Sequence, residues 1–242
     1  MPLPKIATPT HELKLPSTGK PIKYRPFLVK EEKVLILALE SQDIKQITLA
    51  IKSVLKDCIL TKGIKVEDLP SFDIEYIFLN VRGKSVGESI DLIVTCSDDG
   101  TTEVPVKLFV DEIQVQKDEE HSTEIRIDDS IVIKMKYPSL EQFIKNNFDF
   151  TTQESVSTIE RSFDIISSCI ESIFTEEEAW AASDVTKKEL IEFIESMNAD
   201  QFKKIEKFFE TMPKLSHTFT VINPNTKQEN TVTLEGLTSF FG

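Results

Sequence analysis

Between Ile90 and Tyr137 the hydrophobic pattern of this chain switches from a period of about 3.6 residues to about 2, and it switches back after Pro138. This restricts the fold more than any other feature. Helices and strands gathered into separate blocks exclude the regular strand–helix alternation that a parallel α/β sheet requires. The expected class is α+β, with an N-terminal extended arm and helices, a small central antiparallel sheet, and C-terminal helices with a terminal β-hairpin. The segments are residues 1–27 (proline-rich arm), 28–88 (helical), 89–137 (antiparallel β) and 138–242 (helical, ending in a hairpin and a short aromatic turn).

Six prolines in the first 26 residues deny a helix there and favour extended backbone, which either wraps its own domain or reaches a neighbour. Scattered charge and little apolar periodicity suggest that residues 1–20 serve binding more than folding. Val34 to Leu39 is apolar on all sides and reads as a core helix. Asp43 and Gln46 have capping-box spacing ahead of an apolar stripe of Ile44, Ile47, Ile51, Val54, Leu55 and Cys58 that runs to about Leu60, where Gly63 is expected to close it. A third helix is expected over 71–82.

In the β segment, Leu92, Val94 and Cys96 alternate, Ser97-Asp98-Asp99-Gly100 makes a turn, and Val104, Val106, Leu108 and Val110 alternate again, as in a hairpin. Short strands are expected over 124–127 and 131–136. The resulting sheet of about four strands needs a helix or a partner over its apolar face. Capping-box pairs then recur at Thr151/Glu154, Thr186/Glu189 and Asn198/Gln201. A stripe of Val156, Ile159, Phe163, Ile166, Ile170 and Ile173 follows the first pair.

The last stretch offers no reactive group. Phe202, Ile205, Phe208, Phe209 and Met212 share one face of a helix that Pro213 ends. Strands over 217–222 and 229–234 flank the turn Asn223-Pro224-Asn225. Phe208, Phe209, Phe240 and Phe241 are expected to form one cluster pinning hairpin and last turn to the helix, with a partner surface on its rim.

Three strings carry a family resemblance: "LPSTGKPIKYRPFLVKEEKVLILALES" (Leu15 to Ser41), "FDIEYIFLNVRGKSVGE" (Phe72 to Glu88) and "FFETMPKLSHTFTVINPNTK…TLEGLTSFF" at the end. They resemble the baseplate hub assembly protein family of T-even-type contractile-tailed bacteriophages. The resemblance implies a non-enzymatic hub protein or hub assembly chaperone, working in the host cytoplasm during assembly, with the virion tail baseplate as the second location it admits. Its partners would be other phage baseplate hub proteins. Tyr24, Arg25, Phe27, Phe208, Phe209, Phe240 and Phe241 are the candidate partner-binding residues. The alternative is a peptidoglycan-lytic hub component, since hubs of this kind often carry lytic activity.

The net charge of −13 argues against nucleic acid as a partner, because phosphate binding needs clustered Lys and Arg. The first 33 residues, with seven basic and three acidic side chains, stand apart at +4. No apolar run reaches the roughly 18 residues of a membrane span, so membrane insertion is not expected. Cys58, Cys96 and Cys169 read as buried thiols without a disulfide framework.

Sites for chemistry are not expected either, and no cofactor or metal is assigned. Arg82-Gly83-Lys84-Ser85 lacks the earlier glycine of a phosphate loop and reads as a helix C-terminus capped by Gly83 or Gly87. Ser97 to Glu103 lacks the ligand spacing of a calcium loop. Glu176-Glu177-Glu178 reads as the first turn of a helix after Thr175. His11, His121 and His217 have no Cys or His at zinc spacing.

Overall fold

The computed structural model describes residues 6–148 and 158–240. Strands β1 (His11–Lys14) and β2 (Pro21–Tyr24) come first, then helices α1 (Val29–Ser41), α2 (Ile44–Cys58) and α3 (Ser71–Val86). Next are strands β3 (Ser89–Thr95), β4 (Glu103–Phe109), β5 (Gln114–Gln116), β6 (Glu124–Arg126) and β7 (Val132–Met135). Helices α4 (Leu140–Phe148) and α5 (Thr158–Cys169), strands β8 (Ile170–Phe174) and β9 (Ala179–Ala181), and helices α6 (Lys187–Glu195) and α7 (Ala199–Thr211) follow. Strands β10 (Lys214–Ile222) and β11 (Glu229–Glu235) and a short 3-10 turn, Leu237–Phe240, complete the chain. The class is α+β, as the change of period predicts.

The chain divides into two compact units, Met1–Gln116 with Lys214–Gly242, and Lys117–Pro213. In the first, α3 is central and buries Phe72, Ile74, Ile77, Leu79 and Val81. Gly83 lies inside α3, where an added Cβ would stand 3.1 Å from Val110 Cγ2, so its role is close approach; the helix is capped by Gly87 at φ 134. Strands β3 and β4 pair antiparallel, while β10 lies between β11 and β5. The two hairpins enclose Val94, Cys96 and Val221, with Val104, Val106, Phe219 and Val232 around them.

The proline-rich arm is built into this unit. Strands β1 and β2 pair, and Leu13, Leu15, Ile22 and Tyr24 are buried. Asp73, fully buried in the first turn of α3, accepts bonds from the Ser17 backbone N–H at 2.9 Å and the Ser17 hydroxyl. The Phe27 N–H donates to Ser85 Oγ at 2.9 Å. Proline removes helix as an option but leaves the alternation of a short strand intact, and that alternation is what buries these side chains.

Helix α2 is capped by Asp43, which accepts from the Lys45 N–H at 2.8 Å, whereas Gln46 bonds the Asp43 carboxylate and not its backbone. It ends at Cys58 because Ile59 turns extended and bridges to Tyr24. Gly63, at φ 84, belongs to the following turn and does not close the helix.

In the second unit a four-stranded antiparallel sheet of order β6-β7-β8-β9 packs with α5, α6 and α7 around a core that includes Ile133, Met135, Ile170, Ile194, Ile205 and Phe208. The central strands are thus shared among three sheets. The capping boxes of α6 (Thr186 with Glu189) and α7 (Asn198 with Gln201) form as their spacing predicts. Thr151 and Glu154 lie outside the described residues.

The stripe that ends in Ile170 and Ile173 divides differently. Phe163 and Ile166 are on α5, but the helix stops at Cys169 and both isoleucines join β8. Residues three apart point to opposite faces of a regular strand. Here a bulge between Lys134 and Met135 shifts the register, so both are buried. Glu176-Glu177-Glu178 is the connection from β8 to β9, with the Thr175 N–H bonded to the Glu178 carbonyl at 2.8 Å; it is not a helix start.

Candidate functional site

The candidate contact residues of the N-terminal segment are largely internal. Tyr24 is 2 % exposed, its ring 5.6 Å from that of His11, its strand partner. Arg25 grips Glu31 with both guanidinium nitrogens, at 2.9 and 3.2 Å, and bonds the Pro26 carbonyl at 3.0 Å. Burial would raise the Glu31 carboxyl, but the Arg25 guanidinium, the Leu28 N–H and Lys30 override it and bring it down to about 2. This fork–fork pair fixes the entry to α1. Phe27 is half-buried.

The C-terminal aromatics divide between the units. Phe208 is 2 % exposed in the second unit's core, and Phe209 meets it edge-on with ring centres 5.1 Å apart. Phe240 is fully buried and belongs to the first unit; Phe241 lies outside the described residues. Phe208 and Phe240 therefore pack in separate units and do not share the single cluster expected. Phe208 instead stacks with Tyr137 and lies 5.1 Å from the His121 ring. Thr211 Oγ1 already donates to the Lys207 carbonyl, so it accepts from His121 Nδ1 at 2.9 Å, which leaves Nε2 to accept from the Tyr137 hydroxyl at 3.1 Å. Burial lowers the His121 pKa, against the pull of Asp118.

The tips of the two hairpins in the first unit interlock. Asn223 Nδ2 donates to Asp98 Oδ1 at 2.9 Å and Asp99 Oδ2 at 3.0 Å, while Asn223 Oδ1 accepts from the Asn225 N–H at 2.8 Å. Asn230 Oδ1 accepts from the Ser97 hydroxyl and the Asp98 N–H, each at 2.9 Å. Hydrogen bonds from Thr226 and then Asn223 hold the Asp98 carboxyl below its usual value. Thr102 and the neighbouring N–H groups do the same for Asp99. These carboxylates are therefore structural.

Reactive groups do not assemble into a recognisable reaction. Burial pushes the Cys58 and Cys169 thiols up to about 11, away from nucleophilic character. Burial also pushes the Glu75 carboxyl up to about 7; alone it defines no reaction, because acid–base chemistry requires a reacting group in reach. Among the described residues no three His, Cys, Asp or Glu converge as a metal site, and no helix is long and apolar enough to cross a membrane.

Two of the exposed surfaces carry large apolar side chains. On the outer face of β3–β4, Ile93 is 70 % exposed opposite Pro105, and Phe109 is 47 % exposed on the same face. Helix α1, expected to be core, leaves Val29, Val34, Ile36, Leu37 and Leu39 exposed and buries Glu31 and Ala38. Sequence reasoning missed both surfaces. Apolar residues on every side of a helix read as burial, and the isolated Ile93 carries no signal beyond its alternation with Leu92 and Val94.

These features define an α+β protein whose distinctive surfaces are suited to macromolecular contact. The chain belongs to the T4 bacteriophage base plate protein family, whose family model matches residues 8–242. No curated protein and no solved structure matches it.

Proposed function

We propose that the protein is a non-enzymatic component or assembly chaperone of the baseplate hub, acting by protein–protein binding in the host cytoplasm during tail morphogenesis. Membership of the baseplate family supplies the setting. The observation that carries the binding role is the solvent-facing Ile93–Pro105 cross-strand pair, since an exposed apolar pair on a rigid sheet face favours a protein partner; Phe109 extends the same face beyond the Asp91–Lys107 pair. The interlocked tips of the same hairpins keep that face rigid, which lowers the ordering cost of docking.

Co-expression of the tagged chain with the other baseplate hub proteins, followed by affinity capture, tests the reading. Ile93→Asp should abolish capture while leaving the circular dichroism spectrum unchanged. Undiminished capture by a folded Ile93→Asp variant would remove this face from the account. Loss of turbidity from a peptidoglycan suspension treated with the purified chain would replace the binding role by the lytic one.

A further inference from the structure

Helix α1 turns a specific row of side chains to solvent. Glu31 and Ala38 are buried, and the opposite side carries Val29, Lys33, Ile36, Leu37 and Glu40 at helical spacing. Val29 is 80 %, Ile36 50 % and Leu37 54 % exposed. Read along the helix, the centre of the row is a cation, two apolar groups and an anion.

That order is self-complementary under a two-fold axis. We infer that α1 packs antiparallel against α1 of a second copy of this chain, about an axis between Ile36 and Leu37. This symmetry sets Ile36 opposite Leu37 of the partner subunit and Lys33 opposite Glu40 of the partner subunit, and each pairing occurs twice, as an isologous interface demands. A parallel arrangement would oppose Lys33 to its own copy.

Net charge selects the same face. The whole chain is at −13, so two copies repel over most approaches, whereas α1, once the buried Glu31 paired with Arg25 is set aside, carries two lysines (Lys30, Lys33) and two acids (Glu32, Glu40). Contact through one helix per subunit falls short of the roughly 1,200 Å² of a standard interface, so the dimer is weak, with a dissociation constant on the order of tens of micromolar. The inference does not depend on the hub assignment.

Sedimentation equilibrium of the full chain from about 1 to about 500 µM brackets such an affinity. The wild-type mass should rise from monomer to dimer across that range. Lys33→Glu and Glu40→Lys should each weaken dimerisation by about tenfold, since each replaces two attractions with two repulsions. An equimolar mixture of the two variants should recover dimer, because every charge then meets its opposite; a variant that had lost its fold would not be rescued by mixing. A wild-type chain that stays monomeric throughout overturns the inference. So does a dimer indifferent to the single reversals, or a mixture that fails to recover.

Discussion

The Asn223 side-chain amide donates to the Asp98 carboxylate at 2.9 Å across 125 residues of sequence. Asn223 is fully buried, and its amide satisfies Asp99 and the following turn at the same time. Truncating it leaves several polar groups short of a partner at once. Asn223→Ala is expected to cost about 2–3 kcal/mol in urea unfolding, and Asn225→Ala, whose exposed amide reaches only Thr102, less than about 1 kcal/mol. Equal effects at the two positions would show that the clamp is not what joins the hairpin tips.

That clamp illustrates what sequence makes legible and what it hides. Asn223-Pro224-Asn225 and Ser97 to Gly100 are both readable as turns, because turn chemistry is local. Their pairing is not, because nothing in either segment names the other. The caps at Thr186 and Asn198 were readable for the same local reason. The spacing of Ile170 and Ile173 fits a helical period of about 3.6, and only the extra residue of β8 between them, where the pairing moves from Ser172–Lys134 to Ile170–Met135, reconciles it with a strand. Val34 to Leu39 shows the converse limit: hydrophobicity reports that a surface is to be covered, not whether its own chain covers it.

The N-terminal segment should be required for folding, contrary to what its prolines suggest. Ile22 is fully buried, and Leu15 is 3 % exposed. Ile22→Ala should destabilise the protein by about 2–4 kcal/mol. Deleting residues 1–20 should lower the thermal transition markedly, because it also takes Ser17 from the buried Asp73 carboxylate. A transition unchanged by that deletion would restore the segment to a purely binding role.

Glu31 gives the stability of the first unit an acid limb. Its carboxyl lies at about 2 in the folded chain, below the unfolded value of roughly 4.3. Its contribution is therefore full above the unfolded value and fades as pH falls toward 2. Glu31→Gln should cost about 2–3 kcal/mol at neutral pH, since Arg25 loses its charged partner. The difference between wild type and variant should shrink between pH 4.5 and 2; a difference independent of pH would exclude the ion pair as its source.

Phe208 and Phe209 are adjacent in sequence but unequal in burial, so they separate core from surface within one helix. Phe208 packs against both the Tyr137 and His121 rings, which also contact each other, and is 2 % exposed, while Phe209 is half-buried at the margin of the same core. Phe208→Ala should cost about 3–5 kcal/mol, and Phe209→Ala about 1–2 kcal/mol, because less apolar area returns to water. The first variant should also raise the His121 pKa, since removing the ring readmits water and relieves the burial that lowers it. Titration of the His121 ring protons by NMR reads that shift directly. An unchanged His121 titration in a folded Phe208→Ala protein would mean that the ring does not shield the imidazole.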